Sequence, residues 1–77
     1  MALEFMEYED SPFVFDRETW ELFSMGGAAR SKWRKVENSA SCVRIQFQAC
    51  EISEFEAKSL AEALARERAE DERVKLA

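Results

Sequence analysis

Apolar and polar residues alternate almost without exception between Cys42 and Cys50. Alternation with a period of two places successive side chains on opposite faces of a β-strand, so this segment predicts a half-buried strand. The apolar face carries Val43, Ile45, Phe47 and Ala49. The polar face carries Cys42, Arg44, Gln46, Gln48 and Cys50.

Residues 13–23 predict a β-hairpin around a polar loop. Whether the loop is taken as 17–18 or as 16–19, the register is the same. That register pairs Phe15 with Trp20 and Phe13 with Leu22 on one buried face. Val14 and Phe23 then point to the other side of the hairpin, where a single core does not explain them.

A helix is predicted to start at Ser53. The Ser53 hydroxyl can accept a hydrogen bond from the Glu56 backbone amide, while the Glu56 carboxylate can accept one from the Ser53 amide. We expect the helix to run from about Glu54 to the low seventies, with Phe55 almost opposite its apolar face. One narrow apolar stripe is predicted to face the core: Ala57, Leu60, Ala61 and Leu64. Acid-to-base pairs four residues apart support the exposed side: Glu54 with Lys58, Glu62 with Arg66, and Asp71 with Lys75.

The remaining segments are shorter. Residues 24–29 hold both glycines and predict a flexible connection, and residues 30–36 predict a strand that turns through 37–41 into the Cys42 strand, with Trp33 joining the Ile45 face. Leu3–Tyr8 predicts an additional edge strand ended by the segment Glu9-Asp10-Ser11-Pro12, where a proline fits the boundary. The fold class expected for residues 1–77 is one α+β domain, in which three or four antiparallel strands precede one C-terminal helix packed on one face.

Charge is distributed unevenly along the chain. The net charge is −5, and the sums over residues 1–25, 26–50 and 51–77 are −6, +4 and −3. A chain of 77 residues buries only roughly 60–65% of the surface its unfolded form exposes. The stability margin is therefore expected to be thin, and a partner subunit would increase it.

The residue types present argue against catalysis. The chain has no histidine, which removes the commonest general base and metal ligand. Cys42 and Cys50 lack metal-ligand spacing and, on one strand, would lie roughly 26 Å apart, so we expect free thiols in a cytoplasmic protein. We expect no catalytic, metal or cofactor site. The longest apolar runs are too short to span a bilayer, so no membrane partner is expected.

The segment Arg30-Ser31-Lys32-Trp33-Arg34-Lys35 interleaves four cations with an indole. This mixture is typical of proteins that bind single-stranded RNA or DNA, where cations meet phosphates and aromatic rings stack on bases. The structural alternative is that Trp33 packs in the core while the cations neutralise nearby acids. Nucleic-acid binding is therefore the second functional hypothesis.

The leading hypothesis is a non-enzymatic protein-binding module that docks on a basic surface of another protein. The acidic residues proposed for this contact are Glu7, Glu9, Asp10, Glu18 and Glu21, with Phe23 as an apolar neighbour. In size and charge, though in no motif, the chain is comparable to phage-encoded inhibitors of host defence such as anti-CRISPR proteins. Because its aromatic residues exceed what one helix can cover, we also expect a homodimer.

Overall fold

The computed structural model describes the backbone of residues 2–76 and the side chains of residues 2–71. It is an α+β fold in which a five-stranded antiparallel sheet is flanked by two helices. The elements are β1 (Leu3–Tyr8), β2 (Ser11–Asp16), β3 (Glu21–Ser24), β4 (Arg34–Lys35), α1 (Ser39–Gln48), β5 (Cys50–Glu51) and α2 (Glu54–Leu76). The strand order is β4-β3-β2-β1-β5. The predicted class and C-terminal helix are confirmed, and the sheet and the helix count are larger than expected.

The first hairpin joins β1 to β2 through the two residues Glu9 and Asp10. Their φ angles are 50° and 62°, and a two-residue loop with both angles positive matches the right-handed twist of its strands. The strand predicted at Leu3–Tyr8 is confirmed, but its edge position is wrong because β5 pairs with β1 on the side away from β2. The strand ends at Tyr8 before the predicted boundary segment, but Ser11 and Pro12 already belong to β2, where Pro12 lies opposite Glu7.

The second hairpin has a register two residues away from the predicted one. Phe15 lies opposite Leu22, and Phe13 lies opposite Ser24. A shift of two residues keeps each side chain on its expected face, since the strand period is two. Trp20, however, falls in the turn and is exposed instead of sharing the buried face.

The strand predicted over residues 42–50 is wrong: most of this segment forms α1. Asn38 caps the helix by accepting the Ser41 amide through its side-chain oxygen at 3.0 Å. Residues two apart on a helix lie about 200° apart, so Val43 and Ile45 point in nearly opposite directions. Two apolar stripes on opposite sides of one helix therefore produced the strand-like alternation. The inner stripe is Cys42, Ile45 and Ala49, which pack against the sheet.

Both faces of the sheet are covered by helices. This explains why the sequence has more apolar residues than a single core could bury. On the α2 side, the buried cluster comprises Phe5, Val14, Met25, Ala57 and Ala61, with Phe23 packed against it. On the α1 side, the buried cluster comprises Met6, Phe15, Leu22 and Ile45. The single covering helix expected from the sequence becomes one helix on each face.

Helix α2 agrees closely with its prediction. The Ser53 hydroxyl accepts the Glu56 amide at 3.1 Å, and the buried residues Ala57 and Ala61 belong to the predicted stripe. Two predicted ion pairs are present, Lys58 with Glu54 at 2.9 Å and Arg66 with Glu62 at 3.9 Å. The third predicted pair involves Lys75, whose side chain lies outside the described residues.

The strand predicted over 30–36 is reduced to β4, which follows a 3₁₀ turn at Arg30–Lys32. Trp33 does not join the Ile45 side of the sheet. Its indole nitrogen donates to the Gly27 carbonyl at 2.9 Å, and its ring packs against the α2-side cluster. The connection over 24–29, predicted to be flexible, holds the buried residue Met25.

Candidate interaction surfaces

The acidic residues proposed for docking do not form one patch. Glu9 and Asp10 occupy the turn at one end of β2, whereas Glu18 and Glu21 lie at the other end. Six strand residues at about 3.3 Å each separate the two groups by roughly 20 Å. Glu7 lies within β1 and is half-buried. The acidic surface is therefore divided between the two ends of the sheet.

One of these carboxylates, Glu21, has a cationic neighbour, and so does Glu4 outside the proposed set. Glu21 pairs with Lys35 at 3.2 Å across the β3–β4 edge, and Glu4 pairs with Arg17 at 2.6 Å. Phe23 is half-buried against the α2-side cluster. Part of the predicted docking set thus stabilises the sheet itself.

Glu21 has a lowered pKa. The Thr19 hydroxyl and then the Lys35 ammonium hydrogen-bond its carboxylate and hold the pKa below the ordinary value of 4.5. A depressed pKa in the folded state contributes stability above 4.5, and this contribution is lost as the pH falls through the folded value. In Lys35→Gln, we expect the Glu21 pKa to rise toward 4.5, measured by NMR titration of the side-chain carboxyl.

Lys58→Gln is the matched control for this prediction, because it removes an ion pair on α2 and leaves the β3–β4 edge intact. It should leave the Glu21 pKa unchanged. A Glu21 pKa that is already ordinary in the wild type, or that does not move in Lys35→Gln, would contradict the assignment.

The four cations of residues 30–35 divide into two that form ion pairs with described acids and two that do not. Lys35 pairs with Glu21, and Arg30 approaches the buried carboxylate of Asp16 at 3.4 Å. Lys32 and Arg34 form no ion pair with any acidic side chain that the structure describes. Half of the predicted cationic set therefore remains free for a ligand.

Lys32 and Arg34 line one groove together with Arg68 of α2. The groove has a volume of about 500 Å³, and Ser11 and Ser24 also line it. Its apolar residues include Pro12, Met25 and Leu64; Phe13 touches the groove too, but its side chain packs on the α1 side of the sheet. We call this feature the basic groove. It brings together cations that lie more than thirty positions apart in the sequence, and no carboxylate of residues 2–71 lines it.

A second surface lies on the side of α1 that faces away from the sheet. With Ile45 directed inward, Val43 and Phe47 lie about 160° and 200° round the helix. Val43 is 55% exposed and Phe47 is 85% exposed, and Ala40 is exposed on the same side. We call Ala40, Val43 and Phe47 the outer stripe. Its spacing of three and four residues was visible in the sequence, but the strand interpretation placed Val43 and Phe47 in the core.

Trp20 adds a large aromatic group on the α1 side. It is 78% exposed and has a φ of 60°, in the left-handed region that bulky residues rarely adopt. Its ring packs edge-on against Phe15, with centroids 5.8 Å apart. Trp20 and Gln46 of α1 line the same groove, which places the indole beside the helix. An exposed, strained tryptophan is a candidate contact residue.

The cysteines are free thiols, as predicted. Cys42 donates to the Val36 carbonyl at 3.2 Å, and Cys50 is exposed. Among the residues that the structure describes, no group of three or more cysteine and acidic side chains is placed to hold a metal ion. Over the same part of the chain, no helix is both long enough and apolar enough to cross a bilayer.

No protein-family model matches this chain, and neither a curated protein nor a solved structure matches it. The function is therefore argued from the geometry of the two surfaces.

Proposed function

We propose that this chain is a non-enzymatic protein-binding module that acts as a homodimer through the outer stripe of α1. The observation that carries the proposal is the double apolar character of this helix. A helix that is apolar on opposite sides is normally buried between two layers. The sheet supplies one layer through Ile45, and Val43 and Phe47 lack the other.

Charge favours a second copy as the missing layer. Each chain carries −5, so two copies repel unless their contact avoids the carboxylates. Helix α1 contains one charged residue, Arg44, and no acid, in a protein in which 35% of residues are charged. Depletion of charge is typical of the centre of a protein interface.

The available area is sufficient for a modest dimer. Aromatic side chains bury about 150–250 Å² each, so Trp20 and Phe47 from two copies supply roughly 600–1,000 Å². Ala40 and Val43 add to this. The sum approaches the ~1,000–1,200 Å² at which specific interfaces begin.

The dimer gives the acidic residues a role as a paired target-binding surface. Each copy would present Glu9 and Asp10 in the β1–β2 turn, and two linked copies bind a repeated or extended basic surface more tightly than one. This is the arrangement expected of a small acidic inhibitor that docks on a basic protein partner.

The dimer is tested by sedimentation equilibrium over a range of micromolar concentrations. The wild type should show a mass twice the 8.9 kDa of one chain. The double variant Val43→Gln/Phe47→Gln should weaken association by at least about a hundredfold, because the dimer would lose two copies of Phe47 and a buried aromatic contact at an interface centre is worth on the order of 2 kcal/mol. Glutamine preserves helix propensity, and both positions are exposed, so folding should be retained.

Phe55→Gln is the matched control, because Phe55 is an aromatic residue of α2 with 80% exposure. It should dimerise like the wild type. A monomeric wild type, or a dimer lost in Phe55→Gln and kept in the α1 variant, would overturn the proposal.

A further inference from the structure

We propose that the two copies of the dimer exchange an aromatic side chain, with Phe47 of each copy inserted into a groove beside Trp20 of the other copy. This inference rests on the dimer proposed above and names the contact that specifies it. The groove is lined by Glu4, Met6, Phe15, Arg17, Trp20 and Gln46. We call it the tryptophan groove.

The tryptophan groove lies beside the outer stripe, on the same face of the protein. Met6 and Phe15 belong to the α1-side cluster, so the floor of the groove is on the α1 side of the sheet. Gln46 lines the groove from α1 and lies about 100° round the helix from Ile45, between the inward side and the outer stripe. One continuous patch of surface therefore contains both a groove and projecting apolar side chains.

The symmetry of a homodimer selects Phe47 as the occupant. In a two-fold dimer both copies use the same patch, so a side chain that fills the groove must project close to it. Four large apolar side chains are exposed among the described residues: Trp20, Val43, Phe47 and Phe55. Trp20 is part of the groove, and Phe55 is on α2, which covers the opposite face of the sheet. Phe47 is larger than Val43 and more exposed, so it is the side chain best placed to enter a second copy.

The size and lining of the tryptophan groove suit a phenyl ring. Its volume is about 520 Å³. A cavity of about 150 Å³ is enough for a benzene ring. The Trp20 indole is exposed and stands edge-on against Phe15, with ring centroids 5.8 Å apart. It already forms one aromatic pair within its own chain, and its exposed face would form another with Phe47 of the second copy.

The charge of the groove favours an uncharged side chain. Within residues 2–71, the charged residues that line the groove are Glu4 and Arg17. Their carboxylate and guanidinium groups are 2.6 Å apart, so the two charges offset each other. A charged side chain that entered the groove would lose its hydration without gaining an unpaired opposite charge. A phenyl ring has no such cost, and two chains of −5 each can approach here without a like charge between them.

The test is complementation between a copy that lacks the inserted ring and a copy that lacks the groove. Phe47→Gln removes the ring, and Trp20→Asn removes the indole, since asparagine tolerates the φ of 60° at this position. Each variant alone loses both contacts of its homodimer and should associate at least about a hundredfold more weakly than the wild type.

An equimolar mixture of the two variants should associate at least about tenfold more tightly than either variant alone. In the mixed dimer, Phe47 of the Trp20→Asn copy enters the intact groove of the Phe47→Gln copy, so one of the two contacts is kept. Sedimentation velocity with fluorescence detection follows a dye-labelled Phe47→Gln chain in the mixture. Both positions are exposed, and circular dichroism of each variant should show a retained fold.

A mixture of Phe47→Gln with Phe47→Ala is the matched control, because it has the same statistical advantage of mixing and no inserted ring. It should show no gain in association. A monomeric wild type would overturn the dimer and this contact together. A wild-type dimer that survives in Trp20→Asn, or variants that gain nothing on mixing, would overturn the exchanged contact alone and would leave the dimer to a packing of Phe47 against Phe47.

Discussion

Leu22→Ala is expected to lower the free energy of unfolding by about 2–5 kcal/mol. Leu22 is 2% exposed and belongs to the α1-side cluster with Ile45 of α1 and Phe15, its partner on the neighbouring strand. Removing the branched end of the Leu22 side chain leaves a cavity. The strands around it are held by the sheet and cannot move to fill the space. The total stability of a 77-residue chain is roughly 4–12 kcal/mol at the usual value per residue, so this loss is a large fraction of it.

Urea denaturation followed by circular dichroism measures the effect, with all variants at one protein concentration because a dimer makes stability depend on concentration. Phe55→Ala is the control, as it removes a larger side chain from an exposed position and should change stability by less than about 0.5 kcal/mol. A loss below about 1 kcal/mol in Leu22→Ala would show that the α1 side of the sheet is not a packed core.

Gly26→Ala is expected to cost about 1–3 kcal/mol through steric overlap. A Cβ at position 26 would lie 2.6 Å from the backbone carbonyl oxygen of Lys32, closer than a real contact allows. The backbone φ of Gly26 lies outside the left-handed region, so the requirement for glycine comes from this close approach. The overlap can be relieved only by moving the 3₁₀ turn that carries Lys32.

The adjacent glycine provides the control. A Cβ at Gly27 would meet the Cδ atom of the Lys32 side chain at 3.5 Å, an ordinary contact. Gly27→Ala should therefore be neutral or more stable by about 0.4–1 kcal/mol, because alanine restricts the unfolded chain. If the close approach at Gly26 is correct, the melting temperature should fall in Gly26→Ala and should stay the same or rise in Gly27→Ala. Equal melting temperatures would contradict it.

The elements that could be predicted from sequence are those whose signals are local. Ser53 and Glu56 mark the start of α2, and its stripe has no competing strand pattern. The β2–β3 hairpin was placed correctly, but its register was not, since a four-residue turn and a shorter loop give the same alternation of faces.

Helix α1 could not be identified from its pattern because a helix with two opposite apolar stripes and a half-buried strand share the same alternation of residue types. The signal that distinguishes them is Asn38, a capping residue placed directly before the segment. The position of this helix changed the interpretation of every residue on it. Val43 and Phe47 moved from an expected core to an exposed apolar stripe on the outer side of the helix.

The basic groove was only half predictable for a different reason. Lys32 and Arg34 stand out in the sequence because they are close together and share an aromatic neighbour. Arg68 belongs to an ordinary charged helix face and joins them only because α2 packs against β1 and β2, which brings this part of the helix to the groove. Such a grouping depends on tertiary packing, which spacing along the chain does not encode.

The sheet ends on both sides in strands of two residues, β4 and β5. Strands this short offer too few free amide and carbonyl groups for another strand to add in register, a common protection against aggregation. A second molecule therefore has little backbone to bind at either border of the sheet. We therefore expect any partner of this protein to contact side chains rather than a strand edge, so that single substitutions should be able to abolish binding.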